Sequence, residues 1–211
     1  MAHHIALLGD SVFDNHAYTG DEPDVLAHLR ALLPDPWAAT LCAVDGTTTL
    51  DLADQHRRVP ASASHLVVSV GGNDALLNSD LLATAVRSTT EALSLFADRI
   101  ARFEATYSAA IDAVVALGRP VLVCTIYNGN LSTEEARPAR VALMMFNDVI
   151  LRTALARSLG VIDLRAVCTQ PTDYANPIEP SGAGGAKIAK AVAAAVGAVG
   201  LSSARATLLA G

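Results

Sequence analysis

Short runs of apolar residues alternate with longer amphipathic segments along the whole chain. The short runs contain almost no polar residues, which is typical of parallel strands that are covered on both faces. They predict five strands, at Ile5–Leu8, Thr40–Val44, Leu66–Val70, Val121–Ile126 and Val161–Leu164.

The longer segments place apolar residues three and four positions apart, as amphipathic helices do. They predict helices at Asp24–Leu33, Leu50–His56, Asp80–Leu117, 133–160 and Ala183–Val199. Strands that alternate with helices in this way specify a three-layer α/β/α fold around a parallel sheet. We therefore expect one domain over residues 1–201, followed by a C-terminal tail at 202–211.

The composition narrows the classes of function. The chain has 211 residues, enough for one domain with a substantial core, and 52% hydrophobic against 17% charged residues excludes extensive disorder. The net charge is −6, and no cluster of lysine and arginine is present. A nucleic-acid partner is therefore not expected, because binding to phosphates needs such clusters.

The three cysteines do not form a metal-binding pattern. Cys42 and Cys124 lie inside predicted strands, where buried thiols are expected, and we expect no metal and no cofactor. The first strand starts by Ile5, which leaves no room for a signal peptide, and no apolar run reaches the ~18 residues of a membrane span. We expect a cytoplasmic protein without a membrane partner. The sequence leaves its oligomeric state open, a homodimer included.

Candidate chemistry follows the first three strands, and parallel sheets gather functional residues at that edge. The first strand exits into Gly9-Asp10-Ser11, the second towards Gly46, and the third into Gly71-Gly72-Asn73-Asp74. Ser11 offers a nucleophile, while the Gly46 amide and the Asn73 side chain can stabilise an oxyanion. Taken singly, the same residues also fit an N-cap serine, a turn glycine and a turn-capping asparagine.

Taken together, these blocks resemble the SGNH, or GDSL-like, hydrolase family in order, spacing and strand context over nearly the whole chain. The resemblance implies a flavodoxin-like sheet with strand order 2-1-3-4-5. It also implies that Ser11 is the nucleophile of an acyl-enzyme. The amides of Ser11 and Gly46 and the side chain of Asn73 would form the oxyanion hole.

The fourth block departs from the family pattern. The family normally carries Asp-x-x-His, followed by Pro and Ser. Here Pro180-Ser181 aligns with that end of the block, which places Glu179 at the position of the histidine and Asn176 at that of the aspartate.

A glutamate could perform the proton transfer alone. When it accepts the serine proton it becomes neutral, so it needs no second carboxylate, and Asn176 could orient it through a hydrogen bond. A free glutamate is about two pKa units less basic than imidazole. Burial beside Ile178 would recover part of that basicity, and we expect Asp173 to raise the pKa of Glu179 further. In the alternative interpretation, Glu179 only forms hydrogen bonds with its own loop or with the N-terminus of the following helix.

Other residues are expected near the site. We expect six residues to contribute to the substrate pocket: Asp10, Asp14, Asn15, Tyr127, Asn128 and Asn176. Asp10 is also expected to brace the turn beside Ser11. The sequence does not place any histidine to replace the missing base, including His16, His28, His56 and His65.

Two functions remain open. The first is an esterase for a small-molecule ester, and the second is a catalytically weak binding protein for a small acylated ligand. Intact Ser11, Gly46 and Asn73 favour the enzyme, whereas the missing histidine and aspartate favour the binding protein. A nucleotide-binding protein fits less well, since no P-loop is present. Alanine-rich helices without a long apolar lid favour small, soluble esters over long-chain lipids.

Overall fold

The computed structural model describes residues 3–197, which form a parallel five-stranded sheet in the order β2-β1-β3-β4-β5. The strands are β1 His4–Gly9, β2 Ala38–Leu41, β3 His65–Ser69, β4 Val121–Cys124 and β5 Gly160–Ile162. The predicted fold class and strand order are confirmed.

Helices cover both faces of this sheet. They are α1 Val25–Leu32, α2 Leu52–Gln55, α3 Gly72–Leu76, α4 Thr89–Val115, α5 Thr133–Ala156, α6 Leu164–Val167 and α7 Gly182–Ala195. Single 3-10 turns lie at His16–Tyr18, His56–Arg58, Ser79–Ala83 and Pro171–Asp173. Among residues 3–197, no helix combines the length and the apolarity that crossing a bilayer requires.

Two apolar cores separate the three layers. Ala6 and Leu8 of β1 face the core under α4 and α5, whereas Ile5 and Leu7 face the core under α1 and α7. Successive residues of a strand point to opposite faces of the sheet, so a strand buried on both sides must be apolar at every position. This is why the strands appear in the sequence as uninterrupted apolar runs.

The long helix begins later than its apolar pattern predicts. Residues Ser79–Ala83 form a 3-10 turn, and α4 starts only at Thr89. The Ser88 hydroxyl caps it by accepting from the backbone N–H of Glu91 at 3.1 Å. This cap fixes the helix start, because a side-chain acceptor satisfies one of the first free N–H groups.

The predicted strand at Thr40–Val44 is shifted towards the N-terminus. The backbone N–H groups of Cys42 and Ala43 both donate to the carbonyl oxygen of Leu7 at 2.8 Å. Two donors on one acceptor break the regular ladder, so β2 ends at Leu41.

Two short helices, α3 and α6, were missing from the prediction. Asp163 caps α6 by accepting from the N–H of Arg165 at 3.1 Å, which ends β5 before the predicted Leu164. The last helix ends at Ala195. Its predicted end at Val199 and the predicted tail at 202–211 lie outside the described residues.

Candidate active site

Ser11 sits in a tight turn directly after β1. Gly9 has φ +125°, and a Cβ atom there would lie 1.7 Å from the carbonyl oxygen of Ser69, so only glycine fits. The next residue, Asp10, donates its N–H to the same oxygen at 3.0 Å, and its own carbonyl accepts from Phe13 at 3.1 Å. This turn holds Ser11 at the carboxyl edge of the sheet with 7% of its surface exposed.

Gln55 connects the first two strand exits, a role that its position in the sequence does not indicate. Its Oε1 atom accepts from the N–H of Gly9, and its Nε2 atom donates to the carbonyl of Gly9, both at 2.7 Å. Nε2 also donates to the Thr47 hydroxyl at 3.1 Å. Gln55 is 3% exposed. In the sequence, a glutamine among polar helix residues looks like an ordinary surface residue. Nothing there indicates that its side chain is buried and binds the backbone of Gly9.

Asn73 lies in α3, directly after β3. Its Nδ2 atom donates to the carbonyl oxygen of Thr47 at 2.9 Å. The neighbouring Asp74 accepts from the Thr49 hydroxyl at 2.7 Å, so the exits of β2 and β3 are tied together. Within residues 3–197 the Nδ2 atom of Asn73 donates only to Thr47, so its second N–H is available to a ligand. Asn73 and Ser11 line the same cleft.

Gly46 lies in the exposed turn after β2. It adopts φ +78°, and a Cβ atom there would meet nothing within 4 Å. The backbone conformation, not a lack of space, therefore favours glycine at this position.

The loop that carries Glu179 is fixed through its backbone. The Oδ1 atom of Asn176 accepts from the N–H groups of Ile178 and Glu179, both at 2.9 Å. The Tyr127 hydroxyl donates to the carbonyl of Ile178 at 2.5 Å. Asn176 thus orients the backbone of Glu179 rather than its carboxylate.

The same loop packs closely on the segment after β4. Gly129 has φ +71°, and a Cβ atom there would lie 2.8 Å from the carbonyl oxygen of Pro177. That oxygen accepts from the N–H of Asn130 at 2.8 Å. These contacts leave the loop little freedom to move.

The Glu179 carboxylate is buried next to Ser11. Burial raises the pKa of Glu179 above its ordinary value, the Ser11 hydroxyl lowers this pKa, and the charge of Asp45 raises it. The side chain is 7% exposed. Among the described residues its Oε2 atom has no hydrogen-bond partner. Buried carboxylate oxygens are normally paired, so this atom is free to take a proton or to bind a ligand.

Asp173 does not act on Glu179 as we expected. Lys187 binds the Asp173 carboxylate at 2.6 Å, and the N–H of Gln170 donates to it at 2.9 Å. Burial alone would raise the pKa of Asp173, but these partners outweigh it and lower the pKa. The negative charge that raises the pKa of Glu179 comes from Asp45 instead.

Asp10 is a second buried carboxyl group at the site. Burial raises the pKa of Asp10 to about 8. The charges of Glu179 and Asp74 raise this pKa as well, whereas a hydrogen bond from the N–H of Val12 lowers it. The Val12 bond to Oδ1 measures 3.1 Å. Asp10 is therefore largely protonated at neutral pH.

A cleft opens from Ser11 and encloses about 970 Å³ of empty space, including its open mouth. Asp10, Asn73, Asn128 and Glu179 line it together with Ser11. Its remaining wall is mostly apolar and includes Leu76, Leu82, Phe96, Leu131, Leu143 and Phe146. The site thus combines a nucleophile, a buried carboxylate and an apolar cavity.

A sequence model of the GDSL-like lipase/acylhydrolase family matches residues 7–187, a span that includes every residue of this site. The chain belongs to this family. None of the curated proteins matches it in sequence.

Solved structures with this fold include enzymes named for different substrates. An extracellular lipase from Streptomyces rimosus has 18% identity and a TM-score of 0.69, covering 92% of this chain and 100% of its own. A phospholipase A1 from Streptomyces albidoflavus has 18% identity and a TM-score of 0.69, with 91% and 98% covered. An acetylxylan esterase from Geobacillus stearothermophilus has 16% identity and a TM-score of 0.69, with 93% and 96% covered. At these identities the likeness shows the fold alone.

Two residues expected in the pocket of this GDSL-like protein accept hydrogen bonds from backbone N–H groups instead. Asp14 accepts from the N–H of Asp45 at 3.0 Å through its Oδ2 atom. The exposed side chain of Asn176 holds the Glu179 loop, as described above. Neither side chain lines the cleft, whereas the expected Asp10, Tyr127 and Asn128 do.

Asn15 is also absent from the cleft. It is 0% exposed, its Oδ1 atom accepts from the N–H of Val25 at 3.0 Å, and its Nδ2 atom donates to the carbonyl of Pro180 at 3.2 Å. Both amide atoms are therefore used to join the start of α1 to the Glu179 loop.

The nearest histidine along the chain does not take over the role of the base. His16 follows the serine turn, but its Nδ1 atom lies 3.7 Å from a carboxylate oxygen of Asp24 and its side chain is 77% exposed. In the described part of the chain, no cluster of three or more His, Cys, Asp or Glu side chains is arranged to hold a metal ion.

Proposed function

We propose that the protein is a carboxylic ester hydrolase in which Ser11 is the nucleophile and Glu179 the base. One observation carries this proposal: the carboxylate of Glu179 is buried beside the serine hydroxyl, and its Oε2 atom has no partner among the described residues. A residue that only stabilised the loop would use its carboxylate oxygens there. In this structure the loop is held by Asn176 and Tyr127 instead.

In the first half-reaction, Glu179 takes the proton of the Ser11 hydroxyl while Oγ attacks the ester carbonyl carbon. The tetrahedral intermediate collapses by breaking the bond to the alcohol oxygen. Glu179 returns the proton to that oxygen, the alcohol leaves, and an acyl-enzyme remains.

Hydrolysis of the acyl-enzyme uses the same groups. Glu179 takes a proton from a water molecule, whose oxygen attacks the acyl carbon. Collapse of the second intermediate breaks the bond to Ser11 Oγ, which regains the proton from Glu179. The acid product leaves the site, and the enzyme is restored.

The oxyanion that forms in each half-reaction needs hydrogen-bond donors. The second N–H of Asn73 is available for this, and the backbone amides of Ser11 and Gly46 would complete the set. Gln55 supports this arrangement, because it joins the strand exit that carries Ser11 to the loop that carries Gly46.

The basicity of Glu179 sets the expected rate. A free glutamate is about two pKa units below imidazole, which corresponds to about 3 kcal/mol of proton affinity. Burial and the charge of Asp45 raise the pKa of Glu179 and reduce that deficit. We therefore expect turnover that is slower than with a histidine base.

Covalent labelling by a fluorophosphonate probe between pH 5 and 9 tests the proposal, because the probe reports an activated serine without a known substrate. We expect labelling of the wild-type protein, its loss in Ser11→Ala and a sharp decrease in Glu179→Gln. The exposed Ser94→Ala and Glu134→Gln are matched controls and should label normally.

The same experiment can overturn the proposal. Absence of labelling at any pH would favour a binding protein that keeps the cleft without turnover. Labelling that persists in Glu179→Gln would show that another group activates Ser11.

A further inference from the structure

We propose that the apolar cleft beside Ser11 binds the acyl chain of a neutral ester, and that this chain is several carbons longer than an acetyl group. The inference rests on the proposed function, because it assigns the cleft to the acyl half of that substrate. The sequence alone favours small, soluble esters as substrates. The cleft favours esters of acids with a longer apolar chain instead.

The cleft wall combines a few polar groups with many apolar ones. Asn73 and Glu179 line it together with Ser11. Leu82, Phe96 and Leu143 come from three different segments and line the same cleft. An acyl chain attached to Ser11 would find polar partners at its carbonyl and apolar partners along its methylene groups.

Apolar side chains in and next to the cleft wall are partly exposed to water. Leu76 and Leu82 line the cleft, yet they are 45% and 44% exposed, and the neighbouring Leu77 is 71% exposed. Apolar side chains grouped at the mouth of a pocket mark a binding surface more often than chance exposure does. An acetyl group would leave these side chains in water, whereas a longer chain would cover them.

Among residues 3–197, the cleft wall contains no cationic side chain, and its two carboxyl groups belong to Asp10 and Glu179. The anionic head of a free fatty acid would have to sit against Glu179, and the two negative charges would repel each other. An ester has no such charge at its carbonyl. The cleft is therefore suited to bind a neutral ester and to release its acid product.

The test measures kcat/KM for p-nitrophenyl esters from acetyl to dodecanoyl with the wild-type protein. We expect kcat/KM to rise about fourfold for each added methylene over the first steps, the factor that corresponds to about 0.8 kcal/mol per buried methylene, and then to level off. A flat profile, or one with acetyl as the best substrate, would overturn the inference while leaving the proposed hydrolase intact.

A matched pair of variants on α5 locates the chain. Ala142 lines the cleft, whereas the adjacent Val141 is 58% exposed and does not. Ala142→Phe should lower kcat/KM for octanoyl and longer esters at least tenfold and change the acetyl ester little. Val141→Phe should leave the whole series unchanged. Equal effects of the two variants would contradict the assignment.

A binding measurement separates failure of this inference from failure of the proposed function. Methyl octanoate should raise the Tm of Ser11→Ala by at least ~1 °C near saturation, and octanoate and methyl acetate should not. The Tm increase should disappear when Ala142→Phe is added. The increase together with no turnover would reject the hydrolase and keep the acyl site. No increase with methyl octanoate would reject the acyl site.

Discussion

The charge of Glu179 raises the pKa of Asp10, the residue that directly precedes the nucleophile. Burial is the larger cause, and Asp74 adds to the same effect. Two interacting carboxyl groups lose their protons in two steps that belong to the pair. Because the pKa of Asp10 is about 8, Asp10 keeps its proton below that pH and adds no charge beside Glu179.

This coupling predicts a bell-shaped pH dependence of kcat/KM. Activity should rise as Glu179 loses its proton, at a pH above the ordinary range of a glutamate, because burial raises its pKa. It should fall again near pH 8, where Asp10 ionises and adds a second negative charge beside the developing oxyanion.

The isosteric Asp10→Asn variant checks this explanation, because its side-chain oxygen can still accept from the N–H of Val12. The alkaline decrease of kcat/KM should vanish in the variant and the acidic limb should remain. An unchanged alkaline limb would assign that limb to another group.

Folding stability should also report the state of Asp10. Its pKa is about 8 in the folded protein and 3.8 as its ordinary value, so the folded state binds more protons between these limits. The free energy of unfolding should therefore decrease as pH rises from about 4 to 8. At pH 9 we expect Asp10→Asn to melt at least ~2 °C above the wild-type protein. The exposed Asp98→Asn serves as the control, and an equal Tm increase there would contradict this account.

Local signals explain how much of the fold and the site the sequence could predict. Glycine marks the exits of β1 and β3 in the sequence because Gly9 and Gly71 both adopt a positive φ, of +125° and +119°. At Gly9 the close approach of the Ser69 carbonyl oxygen excludes a side chain as well. Continuous apolar runs predict where the strands lie along the chain. They do not predict the order of the strands in the sheet, which only the family resemblance implied. The 3-10 turn before α4 was missed, since its apolar residues keep the spacing of the helix that follows.

Features that depend on distant residues could not be predicted in this way. Asn15 was expected in the pocket from its position near Ser11, but its partners lie at Val25 and Pro180. The apolar cleft is likewise built from segments far apart in the chain, such as those of Leu82 and Leu143. Only the folded structure shows that they face one space.

Gln55 should be required for both stability and activity. Gln55→Leu would leave the buried N–H of Gly9 without its side-chain partner, at about 1–3 kcal/mol. The carbonyl of Gly9 would still accept from the N–H of Val44 at 3.0 Å. Urea unfolding should show this loss, and fluorophosphonate labelling of Ser11 should slow. Gln55→Glu can accept from the N–H of Gly9 but, when ionised, cannot donate to its carbonyl and buries a charge there, so it should also be less stable than the wild type. A Gln55→Leu variant as stable as the wild type would disprove the role.

Asn73 should contribute mainly to kcat. If its second N–H binds the oxyanion, Asn73→Ala should lower kcat by about 10²–10³-fold and change KM little. Asn78→Ala is a suitable control, because Asn78 also lines the cleft but uses its amide on Asp74 and Arg99. Similar decreases of kcat in both variants would show that Asn73 acts through the structure of the cleft and not at the oxyanion.

The carboxylate base also predicts how the site would respond to the usual family residues. Glu179→His alone should slow labelling of Ser11 at least tenfold, since an imidazolium needs a carboxylate partner and the Oδ1 atom of Asn176 is already occupied by two backbone N–H groups. Adding Asn176→Asp should restore labelling above the level of the single variant and move its optimum to higher pH, because imidazole is the stronger base.

Labelling rates of the wild type, both single variants and the double variant form a cycle that measures this coupling. Additive effects would show that positions 176 and 179 do not act as a pair, and faster labelling by Glu179→His alone would show that the site needs no carboxylate partner for a histidine.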